Sequence, residues 1–224
     1  MSKFRHILLF CILTAVALPL KAQDDFFKLG LRTGHNTVFG GFAAVSLEST
    51  CALCDDFSLN GGLKYNTTGK TDIAARPSYF HDFTWGRISA EVLLNYTRLA
   101  SVNSMAVGGG AGISGKWLGF RLGYFYRLYG SKAGMIEEPF NIYYELRANL
   151  LPMTDKWDLQ LTITNCEIFE LERHFQPTFI AEGTYSFKDH LGVSLGIGCK
   201  PAGMFNMSAD YYESFLNFGF IYRW

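Results

Sequence analysis

Apolar and polar residues alternate one by one through most of this chain, in segments of about ten residues. Between positions 117 and 128, large apolar side chains occupy every second position, and the positions between them are mostly small or charged: Leu118, Phe120, Leu122, Tyr124, Tyr126 and Leu128 against Gly119, Arg121, Gly123, Phe125 and Arg127. Successive side chains of a strand point to opposite faces, so this period predicts strands with one apolar face. The chain is therefore expected to be all-β.

The number of alternating segments sets the expected size of the sheet. Twelve are predicted, at residues 26–34, 38–49, 56–67, 72–83, 85–99, 104–114, 117–128, 141–150, 157–165, 177–187, 190–199 and 214–224. The count falls to ten if the first two segments form one strand or if 72–83 is a loop. Twelve strands leave about 17 residues for each strand with its connection, which suits membrane spans of about 9 to 11 residues.

Composition narrows the class of protein. The 224 residues carry 20 Lys and Arg against 20 Asp and Glu, and 49% of them are hydrophobic. These values exclude a disordered polymer and a basic nucleic-acid-binding arm, so no nucleic-acid partner is expected. After the first two dozen residues, no apolar run approaches the roughly 18 residues that a membrane-spanning helix needs.

The first 22 residues have the three parts of a secretory signal peptide. Lys3 and Arg5 give a basic start, an apolar run follows at 7–20, and the small residue Ala22 precedes Gln23. We expect cleavage after Ala22, which leaves residues 23–224 as one exported domain. The alternative is a single anchoring helix, for which the apolar run is too short.

Four cysteines follow the predicted cleavage site: Cys51, Cys54, Cys166 and Cys199. In an exported protein such cysteines form disulfides or remain idle thiols, and the sequence leaves their pairing open. A redox CxxC centre would need a helix at its first cysteine, and a zinc site would need a second close pair of Cys or His. Neither pattern is present, so no metal and no cofactor are predicted.

Three features favour a membrane barrel over a soluble sandwich or barrel. Charged residues stand in mid-strand opposite the apolar faces, where a shift of one residue would move an arginine into hydrocarbon at roughly 2–4 kcal/mol. Short turns at 115–116, 151–156 and 188–189 alternate with long connections at 129–140, 166–176 and 200–213, apart from a short connection at 99–103. The resulting topology collects four interface-seeking indole rings at one membrane edge, expected to be periplasmic: Trp85, Trp117, Trp157 and Trp224.

The last segment carries the most specific pattern of the sequence. Aromatic residues alternate up to the final position, at Phe218, Phe220, Tyr222 and Trp224. This resembles the C-terminal signature of bacterial outer-membrane β-barrel proteins, which the barrel-assembly machinery recognises. The resemblance implies an outer-membrane location, with outer-membrane lipid, lipopolysaccharide and that machinery as partners. It implies no activity.

A glycine-rich stretch fits two nucleotide-binding patterns without their structural context. Residues 110–115 match GxGxxG, and Lys116 extends the match toward a phosphate loop, but Trp117 stands where that loop needs Ser or Thr. Both motifs also need a helix at this point, whereas 117–128 alternates as a strand. We interpret these glycines as a small-residue strand followed by a tight turn.

The alternative of a lipid-modifying barrel hydrolase, of phospholipase or lipid A deacylase type, needs a nucleophile beside a base. The exported chain offers His35, His81, His174 and His190, and none lies in a recognisable catalytic segment. An acidic cluster with a histidine, in the 166–176 connection predicted to face outward, is interpreted as a solvated or lipopolysaccharide-facing loop: Glu167, Glu170, Glu172 and His174. No catalytic residue is therefore predicted.

The remaining functional candidates are charged residues on the polar faces of the strands: Lys64, Arg87, Glu91, Arg121, Arg127, Glu145, Arg147 and Glu182. Inside a barrel they would either fill the lumen with ion pairs or line a narrow water path. Their excess of basic groups predicts a weak anion preference for such a path, and bulky inward residues such as Phe125 and Tyr143 favour a blocked lumen. The sequence thus predicts a non-enzymatic outer-membrane barrel, structural or porin-like, of undetermined oligomeric state, with a soluble periplasmic β-protein as another alternative.

Overall fold

A computed structural model describes residues 25–131, 134–151, 156–172, 176–188, 190–201 and 211–224. The predicted signal peptide and His174 lie outside the described residues. Twelve strands make up almost all of the described chain: β1 Phe26–Asn36, β2 Gly40–Cys54, β3 Phe57–Asn66, β4 Lys70–Phe83, β5 Gly86–Leu99, β6 Val102–Ser114, β7 Leu118–Ser131, β8 Gly134–Asn149, β9 Trp157–Thr164, β10 Thr178–Lys188, β11 Leu191–Pro201 and β12 Tyr211–Arg223.

The strands close into an antiparallel up-and-down barrel. Each strand pairs with its neighbours in sequence, and β1 pairs with β12 from Phe26 opposite Arg223 to Asn36 opposite Glu213. Closure leaves no free sheet edge, which is what a sheet in lipid requires. The predicted all-β barrel of twelve strands is confirmed, and residues 72–83, the segment that could have been a loop, lie in β4.

The outer surface of the barrel is apolar. Leu31, Leu122 and Phe218 are each about half exposed, as are most large apolar residues at every second position of the strands. No helix among the described residues is long and apolar enough to cross a membrane. A water-soluble protein rarely exposes an apolar surface that encircles it, whereas lipid tails cover such a surface.

The four tryptophans mark one end of the barrel, as the sequence predicts. Trp85, Trp117, Trp157 and Trp224 stand at turns or strand ends that all belong to one end, and the first three are more than half exposed. We call this the tryptophan end. Indole rings prefer the boundary between lipid and water, so this end marks one membrane interface.

Two of the three connections predicted to be long and outward differ in the structure. Residues 129–131 and 134–140 continue β7 and β8 as a paired hairpin, with Tyr129 opposite Ile136. A register shift places an extra residue of β8 between Glu138 and Asn141, which breaks the alternation of β8 and explains why its pattern appeared to begin only at Asn141. Residues 166–172 of the second connection turn into the barrel and are described below. Most of 200–213 lies outside the described residues, although Lys200 and Pro201 belong to β11.

Candidate functional site

The first part of the β9–β10 connection folds into the lumen instead of facing outward. We call this part, Asn165–Glu172, the inner segment. A single antiparallel bridge joins Cys166 to Leu171 within it. The Asn165 side chain fixes its base: the amide oxygen accepts from the Tyr144 amide at 2.8 Å, and the amide nitrogen donates to the Ile142 carbonyl at 2.9 Å.

Side chains of the barrel wall donate hydrogen bonds to the backbone carbonyls of the inner segment at every second residue. Arg76 donates to the Glu167 carbonyl, Asn95 to the Phe169 carbonyl at 3.2 Å, and Arg127 to the Leu171 carbonyl. These donors come from β4, β5 and β7, so one arc of the wall holds the chain. A loop buried in this way would otherwise lose the hydrogen bonds that water gives it.

An apolar cluster reinforces that attachment. Cys166 and Leu171 of the inner segment pack among buried side chains of four strands: Leu93, Ala106, Phe125 and Tyr143. The inward aromatic residues expected from the sequence therefore serve as packing surface for the inner segment.

The acidic side chains of the inner segment meet cations from the opposite arc. Glu167 pairs with Arg32 of β1, and Glu170 pairs with Lys64 of β3 and Lys200 of β11. The side chains of Lys64 and Lys200 are only 4% and 3% exposed. Arg32 also donates to Asn217 at 2.8 Å and stacks over the Phe215 ring at 4.0 Å.

These cations decide the charge state of the inner segment. Burial opposes ionisation of the Glu170 carboxyl, but Lys200 and Lys64 outweigh it and hold the pKa of Glu170 well below its usual range. The pKa of Glu167 is lowered by the same balance, with Arg32 as its principal partner. Burial raises the pKa of the Cys166 thiol, which keeps that thiol neutral and unreactive.

Two chambers of the lumen lie on either side of the described inner segment. The lower chamber, toward the tryptophan end, has a volume of about 280 Å³, and the upper chamber, toward the opposite end, about 290 Å³. Phe169 and Glu170 line both. The exposed wall of the lower chamber is mainly polar, which suits water and small polar solutes, whereas that of the upper chamber is mainly apolar with charged groups at Lys70, Arg127 and Glu172.

A second charged network lies on the wall of β5, β7 and β8. Arg121 bridges Glu91 at 3.0 Å and Glu145 at 2.6 Å, and Arg147 adds a contact to Glu145 at 2.8 Å. Tyr143 donates its hydroxyl to Glu91 at 2.8 Å. The glycines of β6 make room for these long side chains, because a Cβ at Gly110 would overlap the Tyr143 hydroxyl.

The glycine-rich stretch at 110–115 forms the strand end and tight turn that the sequence predicts. Residues 110–114 end β6 and Gly115 lies in the turn to β7. No helix begins there, so the backbone amides do not converge on a phosphate.

The eight charged candidates from the sequence fall into different surroundings. Lys64, Arg121, Glu145, Arg147 and Glu182 line the lower chamber, and Arg127 lines the upper one. Glu91 contacts Arg121 behind the chamber wall. Arg87 pairs with Asp82 at 2.6 Å near the tryptophan end and lines neither chamber.

Sequence analysis missed several charged residues of the lumen. Four charged residues occupy inward positions: Lys28, Arg32, Arg76 and Lys200. Lys28 of β1 pairs with Glu182 of β10 at 2.8 Å along the inner surface of the barrel. The alternation of each strand identifies these residues as inward, because each lies two or four residues from another inward residue of the same strand. The segments at 26–34, 38–49 and 72–83 were the least regular, and 190–199 ended two residues before the end of β11 at Pro201.

The histidines and cysteines form no reactive constellation in the described residues. Asp82 points inward to Arg87, whereas His81 points outward and stacks edge-on with Phe83 at 4.8 Å. His190 contacts the Arg223 carbonyl at 3.0 Å. Cys51, Cys54, Cys166 and Cys199 are all free thiols, and no group of His, Cys, Asp or Glu in the described chain could hold a metal ion.

No protein-family model and no curated protein matches the sequence. Solved structures do match its fold. The KdgM porin, solved in complex with disordered oligogalacturonate, has a TM-score of 0.59 and 10% identity over 89% of this chain and 99% of its own. The NanC porin gives 0.58 and 10% over 89% and 100%. The COG4313 outer-membrane channel from Pseudomonas putida F1 gives 0.55 and 12% over 92% and 96%. The chain thus has the fold of outer-membrane β-barrel porins.

Proposed function

We propose that this protein is a channel for small polar solutes in the bacterial outer membrane. The observation that carries the proposal is the polar, charge-lined lower chamber inside a closed barrel with a lipid-facing exterior. A barrel that served only as a rigid anchor would be stable with an apolar, fully packed interior. The solved porins and channel with the same fold support the proposal.

The charges of the chambers favour weak selectivity for anions. The lower chamber is lined by six basic and five acidic side chains: Lys28, Arg32, Lys64, Arg76, Arg121 and Arg147, against Glu48, Glu145, Glu167, Glu170 and Glu182. The upper chamber has two of each: Lys70 and Arg127, against Glu170 and Glu172. A small excess of positive charge along a water path favours anions only slightly.

The direct test is single-channel recording in a planar bilayer with protein purified from the outer membrane. Discrete openings with a reversal potential slightly toward the anion side in a salt gradient would support the proposal. A protein shown to be folded by its heat-shifted gel mobility, yet silent in the bilayer in chloride and in polycarboxylate salts alike, would overturn it.

The outward residues of β12 serve assembly in this proposal. Phe218, Phe220 and Tyr222 face the exterior and are 54%, 41% and 43% exposed, and the Trp224 amide approaches the Asp25 carbonyl at 3.4 Å where β12 meets the start of β1. A strand that closes the barrel is well placed for recognition by the assembly machinery. Deleting Trp224 should lower the outer-membrane level of the protein, whereas Trp117→Ala at a turn of the same end should not. Equal levels of both variants would count against the assembly role.

No enzymatic activity, cofactor or metal belongs to this proposal. The lipid and lipopolysaccharide of the outer membrane are its proposed surroundings, because the exterior offers them a continuous apolar surface.

A further inference from the structure

Three buried cations of the barrel wall converge on carboxylates of the inner segment. Arg32, Lys64 and Lys200 come from three different strands, and their side chains are 14%, 4% and 3% exposed. Within the described chain, Glu170 is the ion-pair partner of Lys64. Lys200 has further contacts to Glu172 at 3.1 Å and Glu213 at 3.6 Å.

Non-covalent contacts alone hold the described inner segment against the wall. Its cysteine is a free thiol, and its attachments are hydrogen bonds, ion pairs and the packing of Cys166, Phe169 and Leu171. Removing the segment would leave these cations without their carboxylate partners. An anion that takes the place of those carboxylates therefore favours release of the segment.

We propose that Arg32, Lys64 and Lys200 form a binding site for a small anion with two or more carboxylates. Glu167 and Glu170 occupy that site as tethered internal ligands, and the anion displaces them. The inference rests on the proposed channel function, because the solute must reach the lumen. Displacement joins the two chambers, since Phe169 and Glu170 stand between them.

The two carboxylates that occupy the site, Glu167 and Glu170, indicate which ligand can replace them. Two carboxylates three residues apart are held by three cations and supported by the Asn217 amide on Arg32. An anion with one carboxylate replaces one contact and leaves the other in place. Tethering gives the internal carboxylates an effective concentration in the millimolar range, so a competitor must act at about millimolar concentration or above.

Cys166 provides a readout that is independent of conductance. Its side chain is fully buried while the inner segment is in place, and it becomes accessible when the segment leaves. The reporter protein keeps Cys166 and carries the substitutions Cys51→Ala, Cys54→Ala and Cys199→Ala. Its reaction with a positively charged methanethiosulfonate reagent is followed in detergent, with citrate or acetate at equal ionic strength.

Citrate at millimolar concentration should raise the labelling rate about tenfold over acetate, because modification of a transiently exposed group follows the population of the open form. The Glu167→Gln/Glu170→Gln variant should label rapidly in acetate alone. The Lys64→Gln/Lys200→Gln variant should lose the difference between citrate and acetate. A matched protein that keeps Cys54, which is exposed, in place of Cys166 should respond equally to both salts.

An unchanged labelling rate in citrate, with folding confirmed by gel mobility, would overturn the proposal. So would a Glu167→Gln/Glu170→Gln variant that labels no faster than the parent. Citrate-dependent labelling in a barrel that never conducts would refute the channel and leave the site standing. Conduction without any effect of citrate on labelling would refute the site and leave the channel standing.

Discussion

The Tyr143 hydroxyl donates to the Glu91 carboxylate at 2.8 Å, with two intervening strands between their backbones. The Tyr143 ring crosses this distance by lying directly on the backbone of β7 at Gly123, where a Cβ would overlap the ring. One aromatic side chain thus ties β8 to β5 along the inner surface of the barrel.

Substituting Gly123 by alanine should therefore destabilise the barrel. The methyl group would also meet the Gly109 carbonyl at 2.5 Å, and backbone cannot rotate away as a side chain can. We expect a loss of about 1–3 kcal/mol in the free energy of unfolding, measured by urea denaturation in lipid vesicles. Gly119→Ala is the control, because its nearest neighbour would be Ser114 Cβ at 3.5 Å, an ordinary contact. Equal stability of the two variants would contradict the close approach of Tyr143.

Arg121 and Arg147 both contact Glu145, but removing them should lower the free energy of unfolding by very different amounts. The Arg121 side chain is 18% exposed and bridges two carboxylates, Glu91 and Glu145, that are 8% and 13% exposed. Arg121→Gln leaves Glu91 without its cation, and breaking such a buried pair typically costs about 3–5 kcal/mol.

Arg147 is the matched control for that substitution. Its side chain is 44% exposed, and solvent-exposed ion pairs contribute about 0–1 kcal/mol. Arg147→Gln should therefore leave the urea midpoint almost unchanged, while Arg121→Gln lowers it clearly. A similar shift in both variants would show that Arg121 is as well solvated as Arg147.

The alternation of side chains made the fold predictable, whereas the inner segment was not. Every predicted strand is present because lipid outside and water inside impose the same parity on each span. The inner segment has no periodicity, and its acidic residues look like any solvated loop. Its position depends on Arg32, Arg76 and Lys200, whose strands lie far away in sequence. Only closure of the barrel brings those cations to one place.

Acid should loosen the attachment of the inner segment only well below neutral pH. The Glu170 carboxyl faces Arg32, Lys64, Lys70 and Lys200, with Glu167, Glu172 and Glu213 near these cations. Because its pKa in place lies below the ordinary 4.5, its ion pairs stabilise the segment fully above that pH. This stabilisation is lost as the pH falls through the lowered value.

Single-channel conductance should accordingly stay constant from neutral pH down to about the ordinary carboxyl pKa and change only below it. Glu170→Gln should remove this acid-dependent change, and Glu182→Gln, on β10 and outside the inner segment, should retain it. A transition centred above pH 4.5 would show that another group controls the segment.

Ion selectivity should respond in opposite directions to the two partners of the Lys28–Glu182 pair. Both side chains line the lower chamber and are 19% and 26% exposed, so removing either leaves the other charge facing the water path. Glu182→Gln should shift the reversal potential in a salt gradient toward anions, and Lys28→Gln toward cations. A unit charge at about 4 Å in water is worth about 1 kcal/mol, which limits the change in permeability ratio to about fivefold.

Arg87→Gln is the control, because Arg87 pairs with Asp82 and lines neither chamber. Shifts of the same sign from Lys28→Gln and Glu182→Gln would mean that ions do not pass between these two side chains.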